Sequence, residues 1–445
     1  MSRQTSRRAF LQESAAIGIG LYAGGGVLAA EGKSANERIR FACIGVGGKG
    51  TSDSADAGKF GDVVAICDID DGTLETAAKE KFPDAKRYND YRKMFDEIGK
   101  NIDAVTVSTP DHHHAFASTI AMRLGKACFC QKPLTHSVSE ARYMADLARQ
   151  MKVATQMGNQ GTAADPLRQA AALVKAGHLG TIKEVHVWTN RPIWPQGGDR
   201  PSSGGSVPET VHWDLFIGAA PYREYAPDTY HPFKWRGWWD FGTGALGDMA
   251  CHTFNMPFMA LDLRNPTTIE AEHSGHNGDS YPNWSIIKFT FPAVGTRPAI
   301  PVTWYDGGER PPKELLGEDV KDVPRSGALI VGEKDTLHAH GDYCEKFSLV
   351  SGNNPPEVDF VKSPGHFEEF VAAIKGGPTP VSNFPDYSGP LSETILLGNL
   401  AVWCGKGPEN DGKVVKWDSK NLRAANAPEL DAIVKRPYRS GWSLA

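Results

Sequence analysis

The stretch Ile-Arg-Phe-Ala-Cys-Ile-Gly-Val-Gly-Gly-Lys-Gly, residues 39–50, decides the fold. Its first half is an apolar strand, and its second half matches the G-x-G-x-x-G turn that joins a strand to a helix in dinucleotide-binding units. Gly45 allows the tight turn, Gly47 lets a pyrophosphate approach the backbone, and Gly50 lets helix and strand pack closely. The helix that follows would point its N-terminal N–H groups at the phosphates. We therefore expect a dinucleotide site here; a glycine-rich turn without a ligand is the alternative.

An acidic residue at the end of the next apolar run specifies the dinucleotide. The run over residues 62–68 ends at Asp68, 18 residues after Gly50. A carboxylate at this position binds the ribose hydroxyls of the cofactor, and its charge repels the 2′-phosphate of NADP. The cofactor expected from the sequence is therefore NAD.

Short apolar runs alternate with helix-like segments from Ile39 to Met157. This alternation predicts βαβ units, so we assign residues 36–157 to an NAD-binding Rossmann domain. The later segments are longer and strand-like, with Gly/Pro/Trp-rich connections, and we assign residues 158–445 to an α+β domain for substrate binding and oligomerisation. The predicted fold class is α/β: an N-terminal Rossmann domain plus a C-terminal α+β domain with a large open, mostly antiparallel sheet. The predicted strands are 39–46, 62–68, 102–108, 127–130, 153–157, 182–189, 285–291 and 329–331; the predicted helices are 72–82, 138–150, 366–375 and 391–404.

Composition excludes several classes of protein. The chain has 445 residues and a formal net charge of −5, with its positive residues scattered, so nucleic acid is not an expected partner. Its seven cysteines are an odd number, and several lie in apolar runs, which predicts buried thiols rather than a disulfide framework. Beyond residue 30, no stretch is long and apolar enough to predict a membrane span.

The first thirty residues carry a separate signal. Ser6-Arg7-Arg8-Ala9-Phe10-Leu11-Gln12 precedes a weakly apolar, charge-free run, rich in Gly and Ala, that ends at Ala30. Paired arginines followed by Phe-Leu and such a run are typical of a twin-arginine export signal. The alternative is an amphipathic first helix that happens to hold two arginines. We expect residues 1–30 to be a signal peptide, cleaved near Ala29 or Ala30, and the mature protein to be periplasmic.

Three more motifs follow predicted strands or open a predicted helix: Ser108-Thr109-Pro110-Asp111, Gln131-Lys132-Pro133 and Gly247-Asp248-Met249-Ala250-Cys251-His252. With the glycine turn, and in this order, they make the chain resemble the Gfo/Idh/MocA family, named for glucose-fructose oxidoreductase, inositol dehydrogenase and a rhizopine-catabolism protein. The resemblance covers essentially the whole chain from Ile39 onward. It extends to the NAD-dependent glycosidases related to this family.

The resemblance implies three catalytic residues. Lys132 matches the lysine of the family's E-K-P motif, and Asp248 and His252 match the acid and base of its D-x-x-x-H motif. The resemblance also implies cofactor contacts, besides those of the glycine turn and Asp68, from Thr109, Pro110, His114, Gln131 and Lys132. From pattern alone, Asp248 and His252 are equally a surface helix pair, and Lys132 a solvated strand end.

The chemistry of carbinol oxidation gives the three residues separate roles. Hydride leaves a carbinol carbon only as its hydroxyl loses a proton, and a histidine suits as the acceptor, so His252 is the predicted base. Asp248, four residues earlier on the same helix face, is expected to orient the imidazole and stabilise its protonated form. Lys132, at the carboxyl end of a parallel strand, is expected to hydrogen-bond the substrate oxygen and stabilise negative charge.

Two positions near these motifs differ from a simple match to the family: residue 131 and the histidine run 112–114. The family's usual glutamate before the lysine is replaced by Gln131, which keeps a hydrogen-bonding side chain but removes a charge beside Lys132. The run His112-His113-His114 resembles a metal cluster, but adjacent side chains diverge, so we predict no metal site.

Tryptophan is concentrated between residues 188 and 239, interleaved with His, Asp, Tyr and Arg. Aromatic faces pack on the apolar faces of pyranose rings while polar groups bind hydroxyls, so we expect a carbohydrate substrate. About half of these tryptophans are expected in the core or at subunit contacts. The predicted substrate contacts are Trp194, His212, Trp213, Tyr230 and Arg236.

Export constrains the reaction. Because the twin-arginine route carries folded proteins, NAD would be bound before export and would have to regain its starting redox state on the enzyme. We expect NAD-dependent oxidation of a sugar carbinol, with hydride transfer to tightly bound NAD and onward to an acceptor. The alternatives are an NAD-dependent glycosidase that uses transient oxidation, elimination and re-reduction, and a noncatalytic sugar-binding protein. An open sheet favours a homo-oligomer, a dimer or tetramer.

Overall fold

The structure, a computed structural model, describes residues 38–202, 204–318, 320–409 and 411–444. The predicted signal peptide, residues 1–30, lies outside these ranges. The described residues form two sheets with helices packed around them, and the predicted fold class is confirmed.

The first sheet has six parallel strands in the order β3-β2-β1-β4-β5-β6. Strands β4 and β5 are buried along their whole length, which explains their nearly continuous apolar sequence. Strand β3 lies at one edge and is three residues of Lys-Arg-Tyr, which is why no apolar run indicated it. The strands are β1 (Ile39–Ile44), β2 (Gly61–Cys67), β3 (Lys86–Tyr88), β4 (Ala104–Val107), β5 (Ala127–Cys130) and β6 (Thr155–Met157).

Helices connect these strands, and side chains cap several of them. The Asp70 carboxylate accepts the N–H groups of Gly72 and Thr73 at the start of α2, and Ser137 and Glu140 form a capping box at the start of α5. The helices are α1 (Lys49–Phe60), α2 (Asp71–Glu80), α3 (Tyr91–Ile98), α4 (Asp111–Arg123) and α5 (Val138–Met151).

The second sheet has nine strands in the order β13-β12-β11-β7-β10-β9-β8-β14-β15. Only β7 and β10 pair in parallel; every other pair is antiparallel. Strand β9 alternates buried and more accessible residues, as expected for a sheet packed on one face. These strands are β7 (Ile182–Trp188), β8 (Thr268–His273), β9 (Ser285–Phe291), β10 (Ile300–Tyr305), β11 (Gly327–Gly332), β12 (Thr336–His340), β13 (Lys346–Leu349), β14 (Val415–Asp418) and β15 (Arg423–Ala424).

Helices of the second half cover this sheet and return to the first. Helix α11 packs on β8, β9 and α8, so the helix with Asp248 and His252 is held between α11 and β7. The helices are α6 (Asp165–Lys175), α7 (Trp213–Ile217), α8 (Gly244–Thr253), α9 (Asn255–Leu261), α10 (His366–Ile374), α11 (Gly389–Trp403) and α12 (Asp431–Val434). Shorter 3₁₀ turns span Gly99–Asn101, Gln160–Ala163, Lys234–Gly237, Lys313–Leu316 and Pro428–Leu430, and a π turn spans Phe384–Ser388.

Helix α10 joins the core of the first sheet. Phe367, Phe370 and Val371 pack in one apolar cluster with Phe41 and Phe129. Strand β6 ends at Met157, the predicted end of the Rossmann domain. Helix α10 comes later in the chain, however, so the part after residue 157 also contributes to the core of the first sheet. The division at residue 157 stays a prediction.

Two further observations concern the chain as a whole. Within the described ranges, no helix has the length and apolar character needed to cross a membrane. All seven cysteines are free thiols, and six of them are buried.

Candidate active site

A cavity of about 690 Å³ runs along the carboxyl edge of the first sheet. Its wall on the sheet side follows the strand order: Tyr91 beyond β3, Asp68 beyond β2, the glycine turn beyond β1, Thr109 beyond β4 and Lys132 beyond β5. Segments from the second half of the chain form the opposite wall. Ligands of parallel α/β sheets bind at this edge.

The glycine turn is built so that only glycine is accepted at its two ends. Gly45 has φ of +78°, and a Cβ there would lie 2.5 Å from the carbonyl oxygen of Ser108. A Cβ on Gly50 would lie 2.0 Å from the carbonyl oxygen of Gly45. Gly47 lines the cavity, whereas Gly50 packs helix α1 against the turn and does not. No side chain caps the start of α1, where the N–H groups of Gly50 and Thr51 donate to the carbonyls of Gly47 and Gly48 at 2.8 Å and 3.2 Å. The positive end of the helix dipole still favours an anion here.

Asp68 joins the glycine turn to the end of β2. Its carboxylate oxygens accept the N–H groups of Val46, at 3.0 Å, and of Asp70, at 3.1 Å. Burial raises the pKa of Asp68, while these two hydrogen bonds oppose the rise. Each oxygen keeps a lone pair for a ribose hydroxyl. The glycine turn, the uncapped helix and Asp68 together suit NAD.

Lys132 and Asp248 form the centre of the site. Nζ of Lys132 donates to the Asp248 carboxylate at 2.9 Å and to the Asp248 carbonyl oxygen at 2.7 Å. Nε of Arg236 donates to the same carboxylate oxygen at 3.2 Å. Burial raises the pKa of Asp248, but the positive charges of Lys132 and Arg236 outweigh it and hold the pKa at about 2. Asp248 is therefore an ionised partner for two cations.

This arrangement corrects one part of the role predicted for Asp248, the orientation of the imidazole; its negative charge does favour the protonated form of His252, because it raises the pKa of that group. Among the described residues, no hydrogen bond joins Asp248 to His252, and Nδ1 of His252 is buried without a partner. The imidazole instead lies edge-on to Tyr343, with ring centroids 4.6 Å apart. A spacing of four residues places Asp248 and His252 on one face of α8. The Asp248 carboxylate nevertheless accepts its hydrogen bonds from Lys132 and Arg236, which carry full positive charges.

His252 is neutral at the cavity wall. Burial lowers its pKa well below the ordinary value, and the nearby charge of Lys132 lowers it further. A neutral imidazole has one nitrogen with a free lone pair, so His252 is able to accept a proton from a bound hydroxyl.

Gln131 takes part in a buried network that no sequence motif indicates. Its Nε2 donates to the Asp53 carboxylate at 2.9 Å, and the Ser108 hydroxyl donates to the same oxygen at 2.7 Å. The other Asp53 oxygen accepts from Lys49 of the glycine turn. Asp53 thus places a negative charge beside Gln131. Its position three residues after Gly50, on the buried face of α1, was the available signal.

The three rings of the histidine run contact carbonyl oxygens of neighbouring loops, and His113 also lines the cavity. Nδ1 and Nε2 of His114 lie 2.8 Å and 2.9 Å from the carbonyl oxygens of Pro133 and Thr109. His114 is fully buried and does not line the cavity, so its predicted cofactor contact is corrected to a loop contact. In the parts of the chain that the structure describes, no three His, Cys, Asp or Glu side chains are grouped to hold a metal.

Asp111, at the start of α4, lines the cavity and was noted only as part of a motif. It accepts a hydrogen bond of 2.6 Å from the Thr243 hydroxyl. Burial raises the pKa of Asp111 to about 7, against the opposing effects of Thr243 and Lys132. The group therefore changes protonation near neutral pH.

The predicted substrate contacts divide into two sets. Trp194 and Arg236 line the cavity, as do Thr109 and Pro110 from the predicted cofactor set. Trp213 and Tyr230 do not: they pack in an apolar core cluster. Their assignment to substrate is wrong because composition does not reveal which way an aromatic side chain points.

His212 also lies away from the catalytic residues. Its Nε2 is 3.1 Å from the carboxylate of Asp71, at the start of α2. Its backbone N–H donates to the Ile69 carbonyl at 2.9 Å. The predicted substrate role of His212 is therefore replaced by a contact beside the Asp68 end of the cavity.

Arg236 is surrounded by aromatic rings at the catalytic end. Its guanidinium lies 4.3 Å from the ring centroid of Trp235, 4.4 Å from that of Phe233 and 5.9 Å from that of Trp194. Further wall residues that sequence reasoning did not single out are Arg191, Ile193, Tyr343 and Trp442. Arg191 and Ile193 follow β7, Tyr343 lies between β12 and β13, and Trp442 lies near the end of the described residues. No motif marks any of these positions.

Two family models match the chain. The model described as the oxidoreductase family, NAD-binding Rossmann fold, matches residues 39–159. The model described as the oxidoreductase family, C-terminal alpha/beta domain, matches residues 166–297. The two ranges together cover more than half of the chain.

Named relatives match shorter stretches. Inositol 2-dehydrogenase of Salmonella typhimurium is 26% identical over 126 residues, which are 28% of this chain and 37% of that enzyme. Levoglucosan dehydrogenase of Pseudarthrobacter phenanthrenivorans is 22% identical over 184 residues, 41% of this chain and 38% of that enzyme. The chain thus spans little more than a third of the length of these relatives.

Solved structures match over most of the chain. The WlbA dehydrogenase from Bordetella pertussis, in complex with NADH and UDP-GlcNAcA, has a TM-score of 0.59 at 16% identity and covers 86% of this chain and 99% of its own. An aldose-aldose oxidoreductase from Caulobacter crescentus, with glycerol bound, has a TM-score of 0.57 at 17% identity, covering 86% of this chain and 100% of its own. At these identities the comparison shows a shared fold.

Proposed function

Because the chain belongs to the Gfo/Idh/MocA family of oxidoreductases, with that family's NAD-binding Rossmann domain, we propose that it oxidises a carbinol of a sugar or sugar derivative. The observation that carries this proposal is the position of Lys132 and His252. Both lie on the wall of the cavity that Asp68 and the glycine turn also line. A substrate at the end of the cavity lined by Lys132 and His252 would lie between these two side chains and the cofactor site.

The residues that would hold NAD are those of the glycine turn, Asp68, Thr109, Pro110 and Gln131. When bound, NAD supplies the acceptor for the hydrogen that leaves the carbinol carbon. The protein's own residues manage the charge and the proton at the carbinol oxygen. Lys132 donates a hydrogen bond to that oxygen and stabilises negative charge on it. His252, neutral and facing the cavity, accepts the hydroxyl proton.

Asp248 and Asp111 support this chemistry. Asp248 neutralises Lys132 and Arg236 in part and fixes the direction of the Lys132 ammonium group. Two cations share its one carboxylate, so the catalytic end retains positive charge for a developing alkoxide while Asp111 is protonated. Asp111, with a pKa raised by burial to about 7, is able to pass a proton onward near neutral pH.

A sugar is the proposed substrate because the cavity wall around Arg236, which shares the Asp248 carboxylate with Lys132, combines aromatic rings with charged groups. Trp194, Phe233 and Trp235 provide apolar faces, and Arg191 and Arg236 provide donors for hydroxyl groups. The names of the relatives agree with this class: they include an aldose-aldose oxidoreductase, an inositol dehydrogenase and a levoglucosan dehydrogenase.

We also propose that the chain is exported to the periplasm and forms a homo-oligomer. The pair Arg7-Arg8 followed by Phe10-Leu11 supports export by the twin-arginine route. Cell fractionation tests it: replacing both arginines with lysine is expected to leave the protein in the cytoplasm, and unchanged export overturns the proposal. Light scattering of the mature protein tests for a dimer or tetramer.

The enzymatic proposal is tested with mature protein and no added nicotinamide. The protein is mixed with a panel of aldoses, polyols and glycosides, and both its NADH absorbance and the sugar products are measured. Net oxidation of a sugar, with NADH that waits for an acceptor, supports the proposal. Cleaved glycoside without net NADH indicates the redox-neutral glycosidase instead, and no reaction with any member contradicts both.

A further inference from the structure

Strand order locates the adenosine end of the cavity. Asp68, the ribose-binding residue, follows β2, and the cavity continues beyond it to Asn89, Asp90 and Tyr91, which follow the edge strand β3. Lys132 follows β5, on the other side of the glycine turn. The end lined by Tyr91 is therefore the end available to the adenine.

Trp442 forms part of the wall at that end. It lines the cavity although it lies 351 residues after Tyr91 in the sequence. Its ring lies edge-on to Tyr91, with centroids 6.2 Å apart, and to His113, at 5.6 Å. The Arg92 guanidinium lies 4.4 Å from the ring centroid. Neither the glycine turn nor any catalytic motif predicts this residue.

The segment 435–444 that carries Trp442 is anchored to both halves of the chain. Arg439 donates to the Asp214 carboxylate at 2.6 Å and to the Gly218 carbonyl at 2.9 Å, and its N–H donates to the Ala219 carbonyl at 2.9 Å. The Tyr438 hydroxyl donates to Glu140 of α5 at 2.9 Å. These contacts fix the backbone that precedes the tryptophan, and the Leu444 carbonyl beyond it accepts the Tyr143 hydroxyl at 2.8 Å. The position of Trp442 is therefore set before a ligand arrives.

A second segment closes the neighbouring part of the same end. The carbonyl of Thr210 accepts the N–H of Asp71 at 2.8 Å, and His212 contacts Ile69 and Asp71 as described above. Leu215 and Phe216, on the short helix α7 that follows, line the cavity together with Trp442. The adenosine end is thus enclosed by two segments that lie far from the Rossmann motifs in sequence.

We propose that Trp442 is a cofactor-retaining residue, which closes the adenosine end of the NAD site, and that Arg439 positions it. Bound NAD then leaves only when the segment 435–444 moves away, which slows dissociation. This inference rests on the proposed NAD site, but not on the identity of the sugar. It gives a physical basis for a cofactor that stays with the enzyme through many turnovers.

The test measures NAD release from the mature full-length chain. Protein loaded with NADH is mixed with excess NAD, and the loss of bound-NADH fluorescence gives the dissociation rate. Trp442→Ala is expected to raise this rate on the order of tenfold, the effect typical of removing an aromatic contact to a base. Trp442→Phe is expected to stay near wild type, and Arg439→Gln, which leaves the cavity wall intact, to give an intermediate rate.

The matched control is Trp284→Ala, which removes another half-buried tryptophan that does not line the cavity. Its release rate is expected to equal that of wild type. Equal rates for wild type and Trp442→Ala overturn the inference while leaving the proposed function standing. If Trp442→Ala does not fold, the NADH dissociation rate of Arg439→Gln is compared with that of wild type, and equal rates overturn the inference. A wild-type protein that binds no NADH contradicts the proposed function itself.

Discussion

Lys132 and Asp248 are bonded twice, through the carboxylate at 2.9 Å and the backbone carbonyl at 2.7 Å of the same aspartate. Lys132 follows a strand of the Rossmann sheet, and Asp248 lies on helix α8, so the pair joins the two halves of the site. Because the carbonyl of a helix residue is fixed, the second bond limits the directions open to the ammonium group. The remaining N–H donor of Lys132 is then available to a substrate oxygen in the cavity.

Lys132→Met is expected to lower kcat/KM by about 10² to 10³, the usual effect of removing one donor to a developing oxyanion. NAD affinity is expected to change little, because the glycine turn and Asp68 remain. Steady-state kinetics and NAD titration measure the two effects. Lys416→Met, at an exposed position on β14, is the control and should match wild type. Wild-type kcat/KM in Lys132→Met contradicts the assignment.

Asp53→Asn is expected to lower the free energy of unfolding by about 2 kcal/mol, because it leaves the Gln131 amide and the Ser108 hydroxyl facing an amide instead of a carboxylate. Gln131→Glu alone is also expected to destabilise, since it places two carboxylates in contact. The double variant Asp53→Asn/Gln131→Glu should recover at least half of the lost free energy of unfolding, because it again pairs one carboxylate with one amide. Denaturant unfolding of the four proteins measures this, and strictly additive losses exclude the coupling.

The buried His114 predicts acid sensitivity. Burial lowers its folded-state pKa from 6.5 to about 4, so the unfolded chain binds a proton that the folded chain does not. The contribution of His114 is fully present above pH 6.5 and is lost as the pH falls toward 4, by about 3 kcal/mol. His114→Asn is therefore expected to flatten the pH dependence of unfolding free energy, whereas His178→Asn, at an exposed position, should not. Parallel profiles for wild type and His114→Asn contradict the prediction.

The sequence predicted the first sheet well because its signals are local. Strand β5 was predicted at its observed bounds, and β1 and β2 within two residues, because buried parallel strands are continuous apolar runs next to a glycine turn. Strand β3 escaped because an exposed Lys-Arg-Tyr edge strand has no apolar signal. The fold class followed from the alternation of these runs.

The site was predicted in part, because its partners are distant in sequence. Lys132, Asp248 and His252 all line one cavity, as the motif order implied. The bond from Lys132 to Asp248 joins residues 116 apart, so helix spacing alone favoured His252 as the partner. The sequences around Trp213 and Trp194 do not distinguish the two residues. Packing in the structure shows that Trp213 belongs to the core and Trp194 to the cavity wall.

The most direct test of the account is single-turnover reduction of enzyme-bound NAD by a sugar that the panel identifies as a substrate, compared between wild type and His252→Ala. NADH absorbance after rapid mixing measures the reaction, and titration measures NAD binding separately. Wild type is expected to form NADH, whereas His252→Ala is expected to bind NAD as tightly but to form NADH slower by about 10² or more, the contribution of a general base. NADH formation at the wild-type rate in His252→Ala, or a wild-type protein that binds no NAD, contradicts the account.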